Sequence, residues 1–323
     1  PAGTCQSDAK PIGTALQIAL FTLTQQVSIQ FEILGKTTQK LWANSQCNRY
    51  RFSLPDDNNF LLGHRSMTHS NKTAIVTGGL SGMGLAIARR LESDGTTVVV
   101  GARSAGDAAY VRKILGTEHD GIHAAALDVR SSESVDAFVG NVAETYGGVD
   151  ILVNAAGVYE EAAVIDHPDR IWDDHIDTNL SGSFRTIRAA MPHMKRGGWG
   201  RIVNIASVAA HNGMANNVAY CVSKAGLLGL GRCVSLEGAA HGVTCVSISP
   251  TWVETEMLRR FIDADMAAND QTLEEVRADY AKSNPQNQLV QPNEVAELAA
   301  FLVSDAARAL TMEDFQIKAG SLW

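Results

Sequence analysis

From residue 73 onward the chain alternates between short apolar runs and longer stretches with helical spacing, and that alternation leaves few folds open. The runs TAIVT (73–77), TTVVVGA (96–102), GIHAAALDV (121–129), VDILVNAAG (149–157), GRIVNIAS (200–207) and GVTCVSISP (242–250) are apolar and rich in β-branched residues. Helical stretches lie at 83–95, 131–146, 170–196, 217–240 and 292–304. Strands separated by helices predict a parallel sheet with right-handed crossovers, because each helix returns the chain to the starting edge. Each run is nearly continuous in apolar character, as expected of strands with helices on both sheet faces. No repeat or low-complexity segment interrupts the pattern.

Between 254 and 290 the alternation lapses into a charged, partly helical stretch. It follows the sixth run, whose carboxyl end faces the ligand crevice of such a sheet, so it is expected to be a substrate lid. A peripheral helical pair is the alternative. The 257 residues from Met67 to the end suffice for the whole α/β unit. Residues 1–66, with six Lys/Arg against four Asp/Glu, are expected to be a poorly ordered extension outside it.

Charge and composition exclude several classes. The formal net charge of -8 argues against phosphate-backbone binding, which needs a cationic surplus. No apolar run reaches the roughly 18 residues that a membrane span requires. Five cysteines without metal spacing read as free thiols in a reducing compartment, so a cytoplasmic location is expected. His167, His175, His193 and His211 are scattered, and no metal site is expected.

TGGLSGMG (77–84) joins the first strand to the first helix. Gly78, Gly82 and Gly84 would let backbone turn tightly and approach a pyrophosphate resting on helix N–H groups. The strand before and the helix after supply the context that a glycine pattern alone lacks. A carboxylate near the end of the second strand would bond a ribose 2′-hydroxyl and repel a 2′-phosphate. Here Ala102 stands there, followed by Arg103, which favours NADP(H); NAD(H) is the alternative, with Arg103 merely solvated. Asp128 is a candidate for the adenine amino group, or else caps the next turn.

Tyr220 precedes Lys224 by four residues, about one helical turn, so phenol and ammonium share a helix face. Alone, the pair could be an ordinary surface contact. Trp252, Tyr159, Met214 and Met257 belong to segments that end at the crevice, where they would form an apolar substrate wall, or else ordinary packing.

Together these residues resemble the short-chain dehydrogenases/reductases over about 70–320. The resemblance rests on TGGLSGMG, LDV (127–129), NAAG (154–157), TNLSG (178–182), IVNIAS (202–207), YCVSK (220–224), SPTWVET (249–255) and VAELAAFLVSDAA (295–307). It implies a single Rossmann-type α/β domain over 67–323: a doubly wound parallel sheet of about seven strands, order 3-2-1-4-5-6-7, with helices on both faces. It implies Asn179, Ser207, Tyr220 and Lys224 as the catalytic set. It implies cofactor contacts from Gly78, Ser81, Gly82, Met83, Gly84, Arg103, Asp128, Val129, Asn154, Ala155, Ala156, Gly157, Tyr220, Lys224, Pro250, Val253 and Thr255, with Asn154 also bracing the sheet. A homodimer or homotetramer is implied too, built partly on the small residues Ala225, Gly226, Gly229 and Gly231, unless those only pack against the sheet.

The chain departs from the family pattern at Pro250-Thr251 in place of Pro-Gly, at Thr311-Met312 in place of Thr-Gly, and at Ala319-Gly320-Ser321 in place of Asp-Gly-Gly. SLEGAAHGVTC (235–245) resembles 3-hydroxybutyrate dehydrogenases, but Ala209 and Asn217 stand where those enzymes hold a carboxylate with His and Lys.

The chemistry that follows is carbonyl reduction or its reverse. The cofactor supplies a hydride and Tyr220 a proton, with Lys224 expected to lower the phenol's pKa toward working pH. Ser207 would hold the substrate oxygen, and its alternative role is a turn cap. Asn179 would hold a water that returns the proton to Lys224, or else be a satisfied core amide. The expected substrate is a ketone, aldehyde or secondary alcohol without a strong charge requirement. An NAD-dependent dehydrogenase of a hydroxy acid or sugar-like alcohol, and a non-catalytic dinucleotide-binding protein, are the competing readings.

Overall fold

The apolar runs form one sheet whose central strands are buried on both faces, while the edge strand over Ile122–Ala126 is partly exposed. The computed structural model describes residues 71–116 and 121–321; the expected extension over 1–66 lies outside them. Seven parallel strands run β1 (Thr73–Thr77), β2 (Thr97–Ala102), β3 (Ile122–Ala126), β4 (Ile151–Asn154), β5 (Gly200–Ile205), β6 (Val243–Pro250) and β7 (Asp314–Ile317). Their spatial order is 3-2-1-4-5-6-7, as the family resemblance implied. Strand β1 pairs with β2 on one side and β4 on the other, Ile75 standing opposite Val99 and Leu152. The chain thus leaves in opposite directions from its centre, which opens a crevice at the carboxyl ends of β1 and β4.

Strand periodicity divides the core into two layers. On one face Ala74, Val76, Val98, Val100 and Val153 pack under α1 (Gly82–Ser93), α2 (Ala108–Leu115) and α9 (Pro292–Leu302). On the other, Ile75, Val99, Leu152 and Ile202 pack under α3 (Ser132–Tyr146) and α5 (Gly182–Gly197). Ile87 and Leu91 of α1 and Met194 of α5 are fully buried. At about 1.5–3 kcal/mol per side chain, such burial holds each helix to its face. α6 (Val218–Gly238) runs beside β6 and carries the Tyr-Lys pair.

The stretch 170–196, read as one helix, is three segments. α4 (Asp169–His175) passes into a π-helical turn, Ile176–Ser181, before α5 begins. The lapse in alternation is a helical pair, α7 (Glu256–Asn269) and α8 (Leu273–Lys282), with a small core of Leu258, Ile262, Val276 and Leu289. Thr255 caps α7, accepting from the Leu258 N–H, and Thr272 with Glu275 forms a capping box on α8. Among the described residues no helix is long and apolar enough to cross a membrane.

One missing family glycine leaves a mark: Met312 (φ 69°) occupies the left-handed region. Met312 stays there because its N–H donates to Cys245 O at 2.8 Å, fixing the turn before β7. The left-handed conformation costs a side-chain-bearing residue about 1–2 kcal/mol. Glycine would relieve that but gain unfolded-state freedom worth about 0.4–1 kcal/mol. Met312 is 40% exposed, so little burial is lost. Met312→Gly is therefore expected to raise stability by up to about 1 kcal/mol, read as a higher midpoint in thermal or urea unfolding.

Candidate active site

The glycine turn is held in place from both sides. Gly78 has φ 67°, and a Cβ there would lie 2.9 Å from Ala156 Cα. A Cβ on Gly84 would lie 2.5 Å from Gly78 O. Thr77 Oγ1 accepts from the N–H groups of Ala155 and Ala156, each at 3.1 Å, tying the exit of β4 to the end of β1. Ser81 is the N-cap of α1, so the N–H groups of Gly82, Met83 and Gly84 lie in the first turn, which intrahelical bonding leaves unpaired. This is a pyrophosphate-sized cradle with backbone donors.

Beside it lies a cavity lined by Gly78, Arg103, Asp128, Val129, Ala156 and Gly157, with Ala102 and Thr178 also on its wall. Arg103 is exposed and opens a short 3₁₀ turn at the end of β2. Among the described residues no carboxylate pairs with it. Asp128 Oδ1 accepts from the Arg130 N–H at 3.0 Å, so this residue both lines the cavity and caps the following turn.

Ser207, Tyr220 and Lys224 converge at the carboxyl end of β5. Ser207 is 9% exposed and bonds the Tyr220 hydroxyl; its Oγ also accepts from the Ala209 N–H at 3.2 Å. Ser207 thus caps the turn after β5, the alternative role. Lys224 is 6% exposed, its Nζ donating to Ile205 O at 2.7 Å and lying 5.7 Å from the Tyr220 ring centroid. A Cβ on Gly157 would lie 3.7 Å from that nitrogen, in ordinary van der Waals contact.

The electrostatics correct one expectation. Tyr220 is not lowered toward neutrality by the protein: burial pushes it up to about 12, with the Ser207 hydrogen bond opposing. Burial pulls Lys224 down to about 8. Spacing puts the two groups on one helix face, but the ammonium spends a donor on a carbonyl, and desolvation dominates at the phenol.

Asn179 falls on the π-helical turn and is 1% exposed. Its Oδ1 accepts from the Val158 N–H at 2.8 Å, while Nδ2 donates to Val158 O and Ser223 Oγ, both at 3.1 Å. The side chain expected to hold a water instead fastens the loop after β4 to α6. Asn154 also turns inward, Nδ2 donating to Asn204 Oδ1 at 2.9 Å and Oδ1 accepting from Thr186 Oγ1 at 2.6 Å. It braces β4, β5 and α5.

Sequence reasoning passed over His175. It is buried, with Nδ1 against Ile171 O at 2.7 Å and Nε2 facing the Glu160 N–H at 3.1 Å. That pair of partners assigns a neutral ring with hydrogen on Nδ1. Its ring packs edge-on against Tyr220, centroids 6.1 Å apart. His211 meets Asp314 at 2.7 Å on a strand 103 residues away. Among the described residues no three His, Cys, Asp or Glu side chains are grouped to hold a metal.

A second cavity adjoins Ser207 and Tyr220. Tyr159, Met214, Trp252 and Met257, the four expected wall residues, all line it. Met83, Pro250, Val253 and Thr255 line it as well, so it meets the glycine turn. Leu258 and Phe261 of α7 line it too, whereas α8 adds no residue to this lining.

Residues 72–265 match the family profile described as short chain dehydrogenase. A D-beta-hydroxybutyrate dehydrogenase from Rhizobium meliloti is 38% identical over 245 residues, 74% of this chain and 94% of that one. A 3-oxoacyl-[acyl-carrier-protein] reductase from Vibrio harveyi is 34% identical over 254 residues, 79% and 98% of the two chains. A variant of actinorhodin polyketide ketoreductase, solved with NADPH, superposes with a TM-score of 0.72 at 35% identity, over 77% of this chain and 96% of that one. The chain belongs to the short-chain dehydrogenase/reductase family. It is an oxidoreductase of that family, using a nicotinamide cofactor on CH–OH or carbonyl groups.

Proposed function

We propose that this enzyme reduces an uncharged ketone or aldehyde with NADPH, or runs the reverse reaction, with Tyr220 as general acid/base. The observation that carries the reading is the convergence of Ser207, Tyr220 and Lys224 between a backbone-lined cradle and an apolar cavity. When bound, the nicotinamide supplies or accepts the hydride. Ser207 Oγ holds the substrate oxygen beside the phenol. A phenol with pKa about 12 stays protonated at neutral pH, which suits it to donate as the carbonyl oxygen gains charge. Lys224, near 8, can return that proton. Asn179 keeps the Val158 loop and α6 in register so that the three groups stay aligned.

The preference for NADPH is supported by Arg103 at the cavity wall and by Ala102 in place of a carboxylate. The uncharged substrate is supported by a lining without Lys, Arg, Asp or Glu. A carboxylate substrate is disfavoured by Ala209 and Asn217, neither of which offers a cation. A homodimer or homotetramer is supported by an exposed strip on α6 comprising Val222, Ala225, Gly229 and Leu236. Gly226 instead packs on Leu180 of its own chain.

Fluorescence titration with NADPH and NADH, followed by turnover of aryl ketones read at the nicotinamide absorbance band, tests this reading. Arg103→Glu is expected to weaken NADPH binding by about tenfold or more while leaving NADH within about twofold, from loss of a cation and gain of a repelling carboxylate. A wild-type preference for NADH would refute the role given to Arg103.

A further inference from the structure

Two tyrosine–carboxylate pairs adjoin the apolar cavity, one through the lining residue Tyr159 and one through Trp252, and nothing in the proposed reaction uses them. On the β4 side, the Tyr159 hydroxyl donates to Glu161 Oε1 at 2.6 Å. The Tyr159 ring lies edge-on to Tyr220 and to Phe261, centroids 4.7 Å apart in each case. Asn217, 4% exposed, also directs Nδ2 toward Glu161 Oε1, at 3.4 Å. On the lid side, the Tyr280 hydroxyl donates to Asp265 Oδ2 at 2.7 Å, and its ring packs edge-on to Trp252 at 4.9 Å. The Glu161 charge also helps raise the Tyr280 phenol, so the two pairs lie within electrostatic reach of each other.

The charge of the surrounding segments is one-sided. Segments 158–169 and 254–290 carry twelve Asp/Glu against four Lys/Arg. That excess equals the formal net charge of the whole chain, -8, so the remaining residues balance. Nearby cations are engaged: Arg170 by Glu160 and Asp174, Arg259 by Asp263, Arg277 by Glu254 and Lys282 by Asp279. Arg260 is exposed on α7 and does not line the cavity.

A phenol that gives its hydrogen to a carboxylate anchors the negative charge at the rim while presenting its ring to the cavity. A carbonyl compound entering between two such pairs meets aromatic faces and a negative field at once. We infer that Glu161 and Asp265 set the charge selectivity of the enzyme: it takes carbonyl compounds with an apolar or aryl body that are uncharged or bear an amine, and rejects those bearing a carboxylate or phosphate. This rests on the reductase reading for the chemistry at the cavity floor, but the selectivity is a property of binding.

The test compares three aryl ketones of one shape: para-acetylbenzoate, its methyl ester and para-acetylbenzylamine. Binding to the NADP⁺-loaded full chain is measured by calorimetry at low and high salt, and turnover is followed separately. At low salt the wild type is expected to bind the amine and ester about tenfold more tightly than the carboxylate, with the gap narrowing at high salt. Glu161→Gln and Asp265→Asn, which keep an oxygen to accept from each tyrosine, are each expected to narrow the gap about threefold, and the double variant to remove it. Equal wild-type affinity for ester and carboxylate, failure of all three to bind, or an unchanged ratio in the double variant overturns the inference. The expected binding ratios without reduction of any ketone by NADPH or NADH would leave the selectivity standing and refute the reductase reading alone.

Discussion

Tyr220→Phe is expected to lower turnover by about a thousandfold, within the range by which positioned acids and bases contribute to catalysis. The variant should fold like the wild type. Phenylalanine keeps the ring contacts with Tyr159 and His175 and loses only the hydroxyl bond to Ser207, whose oxygen retains the Ala209 N–H. Losing one hydrogen bond costs about 0.5–1.5 kcal/mol of stability. NADPH affinity should stay within a few-fold, so the defect appears in kcat rather than in cofactor binding. The measurement is NADPH oxidation with an uncharged aryl ketone, beside a thermal melt. Retention of more than about a tenth of wild-type activity would remove Tyr220 as the proton donor.

The second large effect is on stability, and it opposes function. Lys224 is held at about 8, below its ordinary 10.5. Between those values the unfolded chain binds more protons than the folded one, so this residue makes stability rise with pH across that window. Below pH 8 the folded state bears the full cost of the buried ammonium, about 3 kcal/mol at 1.36 per unit. Lys224→Met keeps the volume and removes the charge, but strands the Ile205 carbonyl, at about 1 kcal/mol. The cofactor-free variant should therefore be about 2 kcal/mol more stable than wild type below pH 8. Its advantage should fade and change sign as pH approaches 10.5. Cys245, which burial pushes up to about 12, makes both proteins lose stability above its ordinary 9, so the variant must be compared with wild type at each pH. Urea unfolding from pH 6 to 10 gives the difference directly, and a difference independent of pH would refute the buried-ammonium account. Activity should be lost, which sets this position apart from ordinary stabilising substitutions.

Much of the site was legible because it is written in local spacing. Tyr220 and Lys224 share a face by helix geometry alone, and the glycine turn declares itself by its place between a strand and a helix. The four wall residues of the cavity followed from their position after strand ends. What was not legible depended on partners distant in sequence. Asn179 reads as an amide in a helix; that it sits on a π-helical turn and fastens Val158 to Ser223 requires three segments to meet. His211 meets Asp314 only across the sheet edge. The direction of the Tyr220 shift was misjudged because spacing reports how near a charge is, not how much water its neighbours lose.

The sequence by itself determined the parallel sheet, the cofactor turn and the helix face that bears the proton donor, since periodicity and turn chemistry act within a few residues. Tertiary structure alone decided which polar groups are used up in bracing, how far burial moves each pKa, and which carboxylates Tyr159 and Tyr280 meet. Those depend on desolvation and on contacts between segments a hundred residues apart, which no local pattern encodes.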